Sequence, residues 1–320
     1  MKKIFLTVVV LAASTLAATA QSLEKVKYGD FQQWITRNIS ESSIIGGANK
    51  TLYEIGPTQT IKGNKAYNNL GGSPWATSNV YAKVMGISKG SNAVFPDNRA
   101  GGNKCAKMTT IMEQVKALGV VDLDVLVSGS IYLGKMCEPV KNTSNPYSKL
   151  EMGIAFNKRP KNLVYDYRVL IPAGQPMIYS SGFGSKKVLK GRQNACEVFV
   201  LLQRRWEDKN GNLYAKRVGT GRERFVKSTS GWVNGHRLAI HYGDITKQSF
   251  YKSYMGLIPQ SRSYYARNSK GKMVPVKEVG WDSPNAVPTH MIMMFSAGCG
   301  TAYEGTIGQT LWVDNVALEY

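Results

Sequence analysis

Aromatic and arginine side chains that could hold a sugar acid are concentrated in and beside one long basic stretch. Residues 243–288 form this stretch, and a tryptophan before a predicted hairpin turn joins the group. Tryptophan and tyrosine rings stack on sugar faces, and a nearby arginine can bind a carboxylate or a sulfate group. Packing within the loops is the alternative for any one of these rings. The predicted ligand-binding residues are Trp206, Tyr264, Tyr265, Trp281, Arg262 and Arg267.

Asp314 is a carboxylate inside an apolar stretch at the end of the chain. Residues 307–320 have the pattern of one long strand, in which Asp314 shares a face with Trp312, Val316, Leu318 and Tyr320. A carboxylate there is costly unless backbone N–H groups, an arginine or a metal ion pairs with it. A closing strand must pair with strands formed much earlier, so we expect the C-terminus to tie the sheet together.

Patterns that carry hydrolytic chemistry are weak in this chain. Ser88 lies in a G-x-S-x-G match, but the nucleophile elbow needs a helix after it, and a loop is predicted here. His236 and His241 are five residues apart in one predicted strand, so they lie on opposite faces and cannot chelate one metal ion. Asp122 and Asp124 share a strand face, yet no carboxylate pair at glycosidase spacing can be nominated. We name no catalytic residue.

The elements that must position these residues are almost all strands. Short apolar runs alternate with turns rich in Gly, Asn and Pro, and Asn210-Gly211 indicates a hairpin between residues 196–206 and 212–218. We expect a first strand over residues 28–35, anchored by Phe31 and Trp34, and one or two helical turns over residues 111–118. The pattern predicts an all-β fold, a β-sandwich or jelly roll of antiparallel strands with long loops.

The first residues and the charge predict an exported, basic protein. Lys2 and Lys3 precede an apolar run and the small residues 18–20, the pattern of a signal peptide cleaved after Ala20. The 320 residues carry a formal net charge of +20. Outside the cytoplasm, acidic polysaccharides or anionic membranes are the expected partners, not nucleic acid. A generally basic surface without a ligand is the alternative. We expect one domain over residues 21–320 and no transmembrane segment.

Four cysteines allow three disulfide pairings in an exported protein. They are Cys105, Cys137, Cys196 and Cys299, and buried free thiols are the alternative. Because no C-x-x-C spacing occurs, we do not expect a zinc site.

Four stretches in order carry a family resemblance: residues 73–79, 95–102, 156–167 and 308–320. Together they resemble the putative carbohydrate metabolism domain family, which gram-negative bacteria that forage on glycans secrete. The resemblance covers residue 28 to the end, and it implies a jelly roll similar to carbohydrate-binding modules and a periplasmic or extracellular location. It provides no catalytic residues. The chain departs from the family at residues 295–300, where a Ser-rich run is usual, and in an enlarged insertion after Gly243.

The resemblance and the basic aromatic loops predict a secreted protein that binds an anionic or a plant or host polysaccharide. A glycoside hydrolase or polysaccharide lyase is one alternative, and a structural or adhesive surface protein is another. In jelly-roll modules similar to this family, the first and last strands lie side by side. The resemblance therefore also implies a structural Ca²⁺ site at Asp314 and Asp30. Backbone hydrogen bonds to Asp314 are the alternative, and no other cofactor is expected.

Overall fold

The computed structural model describes residues 22–117, 121–182 and 184–320. This part of the chain forms strands, with five 3-10 helices at Ser43–Ile45, Ala100–Gly102, Pro146–Lys149, Ser253–Met255 and Gln260–Arg262. The strands are β1 (Leu23–Lys25), β2 (Trp34–Ser40), β3 (Asn49–Ile55), β4 (Gln59–Lys62), β5 (Trp75–Thr77), β6 (Val80–Val84), β7 (Ile87–Ser91), β8 (Val94–Asn98), β9 (Lys104–Ala117), β10 (Val121–Ser128), β11 (Ser130–Met136), β12 (Leu150–Met152), β13 (Ile154–Ala155), β14 (Asn162–Leu170), β15 (Ile178–Tyr179), β16 (Ser181–Gly182), β17 (Lys187–Val188), β18 (Cys196–Glu207), β19 (Leu213–Phe225), β20 (Val233–Ala239), β21 (His241–Tyr242), β22 (Tyr265–Arg267), β23 (Met273–Trp281), β24 (His290–Ser296), β25 (Glu304–Gly305) and β26 (Thr310–Glu319).

Two large sheets enclose the main core, which confirms the predicted all-β sandwich of the jelly-roll class. The first sheet has the order β16-β10-β9-β26-β14-β20, with β1 on β26 and β8 on β9. The second has the order β13-β24-β18-β19-β23-β22-β12-β11-β5, with β21 on β19. Smaller sheets are β17-β15-β25, β3-β2-β4 and β6-β7. Within a strand, alternate side chains reach the shared core, as the predicted alternation requires.

The closing strand β26 lies in the middle of the first sheet. It pairs antiparallel with β9, β14 and β1, so the predicted pairing of the C-terminus with earlier strands is confirmed. The predicted single face was wrong. Leu311 and Val313 enter the core before Asn315, whereas Val316 and Leu318 enter it afterwards. Asn315 has a positive φ of 52° and shifts the alternation by one residue, in the manner of a β-bulge.

Strand β18 in the second sheet is buried on both faces. Val198, Val200 and Leu202 pack into the core between the two sheets. Phe199 and Leu201 point to the outer face, where they form a second cluster with residues of the 243–288 insertion such as Ile258. The insertion is tied to the sheet because β23 pairs in parallel with β19. It therefore covers the outer face and gives that face a roof.

Two local predictions were wrong for reasons of tertiary structure. Residues 111–117 belong to the long strand β9, because β10 pairs along this part of it, and no helical turn forms there. Tyr28 and Phe31 adopt positive φ values of 58° and 49°, so the chain turns before β2 begins at Trp34. Phe31 and Trp34 are nevertheless buried anchors, as predicted. The hairpin of β18 and β19 around Asn210-Gly211 is also confirmed.

The four cysteines Cys105, Cys137, Cys196 and Cys299 are free, which corresponds to the predicted alternative to disulfides.

The expected signal peptide, residues 1–20, lies outside the described residues, so export stays a prediction. Within the part of the chain that the structure describes, no helix has the length and apolar character needed to cross a membrane.

Candidate functional site

A cavity of about 1000 Å³ lies over the outer face of the ten-stranded sheet. Its floor comes from three neighbouring strands in register. Glu197 on β18 lies opposite Arg224 on β19 and Ser296 on β24. Arg222 and Met294, opposite Phe199, complete this part of the floor. The floor is therefore set by the register of the β18–β19 hairpin, which shifts by one residue between Leu202 and Gln203, and by that of the β18–β24 pair.

Glu197 is the centre of the floor and holds two arginines. Its carboxylate accepts hydrogen bonds from Arg222 at 2.9 and 3.2 Å and from Arg224 at 2.6 Å. The Arg222 guanidinium lies 5.0 Å from the Phe199 ring, and that of Arg224 lies 4.5 Å from the Tyr254 ring. Burial opposes the charge on Arg222, but Glu197 outweighs it and raises the pKa of Arg222. One carboxylate thus holds two guanidinium groups side by side on the floor.

Tyrosines and one further arginine form the adjacent wall. The Tyr264 ring meets Tyr147 edge-on at 6.2 Å and stacks over Phe199 at 6.3 Å. Burial raises the pKa of Tyr264, Tyr147 and Tyr254, so their phenols stay protonated and can donate hydrogen bonds. Arg262 is exposed at the opening. Tyr147 and Arg262 also line an adjoining pocket of about 580 Å³.

Positive charge outweighs negative charge around the cavity. The basic lining residues are Lys89, Lys149, Arg192, Arg222, Arg224 and Arg262, and the acidic ones are Glu113, Asp122, Glu197 and Glu304. Arg192 pairs with Glu304 at 2.9 Å, and Lys89 and Lys50 pair with Glu113. Among the described residues, Arg262 has no carboxylate within ion-pair distance, unlike the three other arginines. Arg262 is therefore the arginine of the lining that is most available to a ligand.

The structure brings together two of the six predicted ligand-binding residues, Arg262 and Tyr264, in the lining of the cavity. The four others lie outside that lining. Trp206 stacks on Tyr214 at 5.8 Å, and Tyr265 accepts a hydrogen bond from Asn145. Arg267 pairs with Glu151 at 3.1 Å, and the Trp281 ring lies 5.7 Å from the guanidinium of Arg217. Their part in binding stays a prediction.

Sequence reasoning missed the floor residues Glu197, Arg222 and Arg224. The Asn-Gly turn gives only part of the signal for them, because it sets the register close to the turn. Uninterrupted pairing from that turn would bring Glu197 opposite Glu223, and the irregularity between Leu202 and Gln203 shifts its partner to Arg224. An acidic residue facing a pair of arginines two positions apart predicts a cross-strand ion cluster.

The weak hydrolytic patterns have structural explanations. Ser88 lies in the hairpin strand β7, beside the Tyr81 hydroxyl at 3.2 Å, so the nucleophile elbow is absent, as expected. His236 contacts the Glu223 carboxylate, and His241 stacks on Phe250. Asp122 lines the cavity, whereas Asp124 pairs with Lys186 at 2.7 Å.

Asp314 is paired with an arginine, one of the partners that the sequence left open. Arg99 Nη1 lies 2.7 Å from Asp314 Oδ2 and 2.7 Å from Asp166 Oδ2. The backbone N–H of Asn315 donates to Asp314 Oδ1 at 2.8 Å. Asp30 is exposed. In the described ranges, no group of three or more His, Cys, Asp or Glu side chains could hold a metal ion. The Arg99 guanidinium supplies the positive charge that Asp314 needs, and the calcium site stays a prediction.

Comparison with protein-family models associates the chain with carbohydrate metabolism. The family model described as "Putative carbohydrate metabolism domain" matches residues 49–247, more than half of the chain. No curated protein matches the sequence.

Three solved structures resemble the chain at low identity. A putative glycoside hydrolase from Bacteroides thetaiotaomicron VPI-5482 is 15% identical, with 86% of this chain and 76% of that chain covered and a TM-score of 0.45. One from Bacteroides vulgatus ATCC 8482 is 16% identical, with 71% and 76% covered and a TM-score of 0.41. A carbohydrate-binding module specific for non-crystalline cellulose, CBM28, is 11% identical, with 78% and 90% covered and a TM-score of 0.27.

Proposed function

Since this chain belongs to the putative carbohydrate metabolism domain family, we propose that it binds an anionic saccharide in the cavity over the ten-stranded sheet. The observation that carries this proposal is the cluster of Arg222 and Arg224 on the floor, beside Arg262 and Tyr264 on the wall. Three guanidinium groups next to phenol donors match the carboxylate or sulfate groups and the hydroxyls of an acidic sugar.

The shape of the site supports an oligosaccharide as the ligand. The cavity and the pocket beside it share Tyr147, Arg262 and Tyr303, so a chain of sugar units can extend from one into the other. The Tyr147 and Tyr264 rings also offer apolar faces for stacking. Arg262 stands at the junction, where it can meet an acidic group on either side.

Binding is favoured over catalysis by the state of the ionisable groups. A lyase needs a base, yet burial raises the pKa of the three tyrosines Tyr147, Tyr254 and Tyr264. A glycosidase needs one carboxyl group free to donate a proton. Glu197 is held by two arginines and Glu304 by Arg192. A glycosidase or lyase on the same glycan remains the alternative, because four carboxylates, including those of Glu113 and Asp122, line the cavity.

Calorimetric titration of the protein with tetragalacturonate and with neutral cellotetraose tests the proposal. Short oligosaccharides are used because a net charge of +20 attracts any long polyanion. We expect tetragalacturonate to bind and cellotetraose to bind at least about tenfold more weakly, since charge-assisted hydrogen bonds contribute about 1.5–3 kcal/mol each. Equal binding of both, or of neither, would overturn the anionic site.

Chromatography of a panel of uronic and sulfated polysaccharides after incubation distinguishes binding from catalysis. We expect the polysaccharides to remain intact. Release of saturated oligosaccharides would establish a hydrolase, and release of unsaturated products would establish a lyase. Either product would show that the cavity, or another part of the chain, carries chemistry in addition to binding.

A further inference from the structure

The cavity has two chemically different parts. Among the residues that the structure describes, the aromatic rings that line it, Tyr147, Tyr254, Tyr264 and Tyr303, belong with the arginine-rich part. The other part is mostly aliphatic and lies between the β6–β7 hairpin and the β9–β10 pair. Its apolar lining residues include Ala82, Val84, Met85, Ile87, Leu123 and Val125, and the polar residues Lys89, Ser91, Glu113 and Asp122 of the same strands also line it.

The two parts are continuous through the strand register. Strand β10 carries Leu123, Val125 and Val127 along the aliphatic part and ends at Ser128. Ser130 then pairs with Ser296, which in turn lies opposite Glu197 on the floor. Ser128, Ser130 and Ser296, which lie between the two parts, line the same cavity.

The aliphatic part is left incompletely covered by the protein itself. Val84, Ile87, Leu123 and Val125 are half-buried. Met85, at the tip of the β6–β7 hairpin, is 87% exposed. The charged groups of Lys89 and Glu113 in this part pair with each other at 3.6 Å. Against the valine, leucine, isoleucine and methionine side chains, sugar hydroxyls find no hydrogen-bond partners, and desolvating them without partners is unfavourable. Aliphatic chains gain free energy there by burial.

We infer that the saccharide bound here is amphiphilic: an anionic sugar whose acyl or alkyl substituent lies in the aliphatic part of the cavity. This inference rests on the proposed function, because the arginine-rich part must receive the acidic head group. Charge complementarity at one end and continuity with an aliphatic wall at the other select such a ligand over an unsubstituted glycan.

The probes are octyl β-D-glucuronide, methyl β-D-glucuronide and octyl β-D-glucoside, each used as monomers in calorimetric titrations of the full-length protein. Each buried methylene contributes a factor of about four in affinity, so the octyl glucuronide should bind at least about tenfold more tightly than the methyl glucuronide. The octyl glucoside should bind at least about tenfold more weakly than the octyl glucuronide.

Two phenylalanine substitutions at adjacent residues of β6 test whether the alkyl chain occupies the aliphatic part of the cavity. Ala82 lines the aliphatic part, whereas the adjacent Lys83 is exposed on the other side of β6. Ala82→Phe should abolish the difference between the octyl and methyl glucuronides and leave methyl glucuronide binding unchanged. Lys83→Phe, with the same added ring, should preserve the difference. Thermal unfolding of both variants checks that each is folded.

The outcomes separate the inference from the proposed function. Equal affinity for the octyl and methyl glucuronides would overturn the inference and leave the anionic site standing. Equal affinity for the octyl glucuronide and the octyl glucoside would show an alkyl site without an acidic head-group site, and would overturn the inference as stated. Binding of tetragalacturonate without binding of any octyl probe would also overturn it. Absence of binding by all acidic saccharides would overturn the proposed function itself.

Discussion

Arg224 faces Glu197 directly across the β18–β19 pair, and its Nε donates to Glu197 Oε1 at 2.6 Å. The same carboxylate holds Arg222, so one acidic residue organises two cations on the floor of the cavity. Without it, the two guanidinium groups would repel each other on neighbouring positions of one strand face. Glu197 thus has a positioning role for the proposed binding site.

Glu197→Gln should lower the free energy of unfolding by about 3 kcal/mol, because loss of one partner leaves buried charge without compensation. Chemical denaturation measures this change. Glu151→Gln is the control, since its ion pair with Arg267 is exposed and should contribute about 1 kcal/mol or less. Equal losses in the two variants would contradict the organising role of Glu197.

Arg262→Gln should weaken tetragalacturonate binding by about tenfold, the loss of one charge-assisted hydrogen bond. Stability should be nearly unchanged, because the side chain is exposed and has no ion-pair partner in the described part of the chain. Arg267→Gln is the matched control: it removes the same charge from the same insertion but lies outside the cavity. A similar loss of affinity in both variants would indicate a diffuse electrostatic attraction.

Tyr264→Leu should weaken binding of the same oligosaccharide by about tenfold, since stacking on an aromatic ring and a phenol donor are both lost. Trp206→Ala is the comparison, because Trp206 is an exposed aromatic residue that stacks on Tyr214 away from the cavity. The affinity of the Trp206→Ala variant for tetragalacturonate should remain within about twofold of that of the wild type. A loss of affinity in Trp206→Ala but not in Tyr264→Leu would indicate that the ligand binds at the loop surface that was predicted from the sequence.

Much of the fold could be predicted from sequence because it depends on local patterns. The alternation of Leu163, Tyr165, Tyr167 and Val169 matches the core face of β14, and Asn210-Gly211 marked its hairpin correctly. These features depend on the two-residue period of a strand and on the turn preference of Asn-Gly, and both can be read from neighbouring residues in the sequence.

The remaining features depend on pairing between distant strands. Residues 111–117 contain good helix formers, yet β10 imposes an extended conformation on them. The alternation in β26 depends on Asn315, whose bulge no periodic pattern shows. The cavity itself exists only because the 243–288 insertion covers the outer face of β18. Its floor and its roof are far apart in the chain, so their meeting could not be deduced from either stretch.

A buried triad should make stability depend on pH. Arg37 pairs with Glu54 at 2.7 Å and with Glu138 at 2.6 Å, so one cation faces two carboxylates. Burial is the main cause that raises the pKa of Glu54 to about 8; Arg37 lowers it and Glu138 raises it further. The pKa of Glu54 in the folded state is higher than its ordinary value of 4.5, so the stability that this group contributes is fully present at pH values below 4.5. This contribution is lost as the pH rises to about 8.

The melting temperature should therefore decrease between about pH 5 and pH 8, and Glu54→Gln should flatten this decrease. The amide has the same shape and can donate to Thr77, whose hydroxyl now donates to Glu54 Oε2 at 2.8 Å. Differential scanning calorimetry across this pH range gives the measurement. A wild-type melting temperature that rises with pH would show that Glu54 stays ionised beside Arg37.

Asp314 provides the last test, which separates the arginine pair from the calcium site. Asp314→Ala should lower the melting temperature, because Arg99 loses one of its two carboxylate partners and then pairs with Asp166 only. The arginine pairing requires no ion, so we expect the wild-type melting curve to be the same with and without EDTA. Under the calcium hypothesis, in which Asp30 and Asp314 ligate Ca²⁺, the chelator lowers the wild-type melting temperature and leaves Asp314→Ala unchanged. Arg99→Gln is the complementary variant, since it should destabilise the protein only if the guanidinium, not an ion, holds the two carboxylates together.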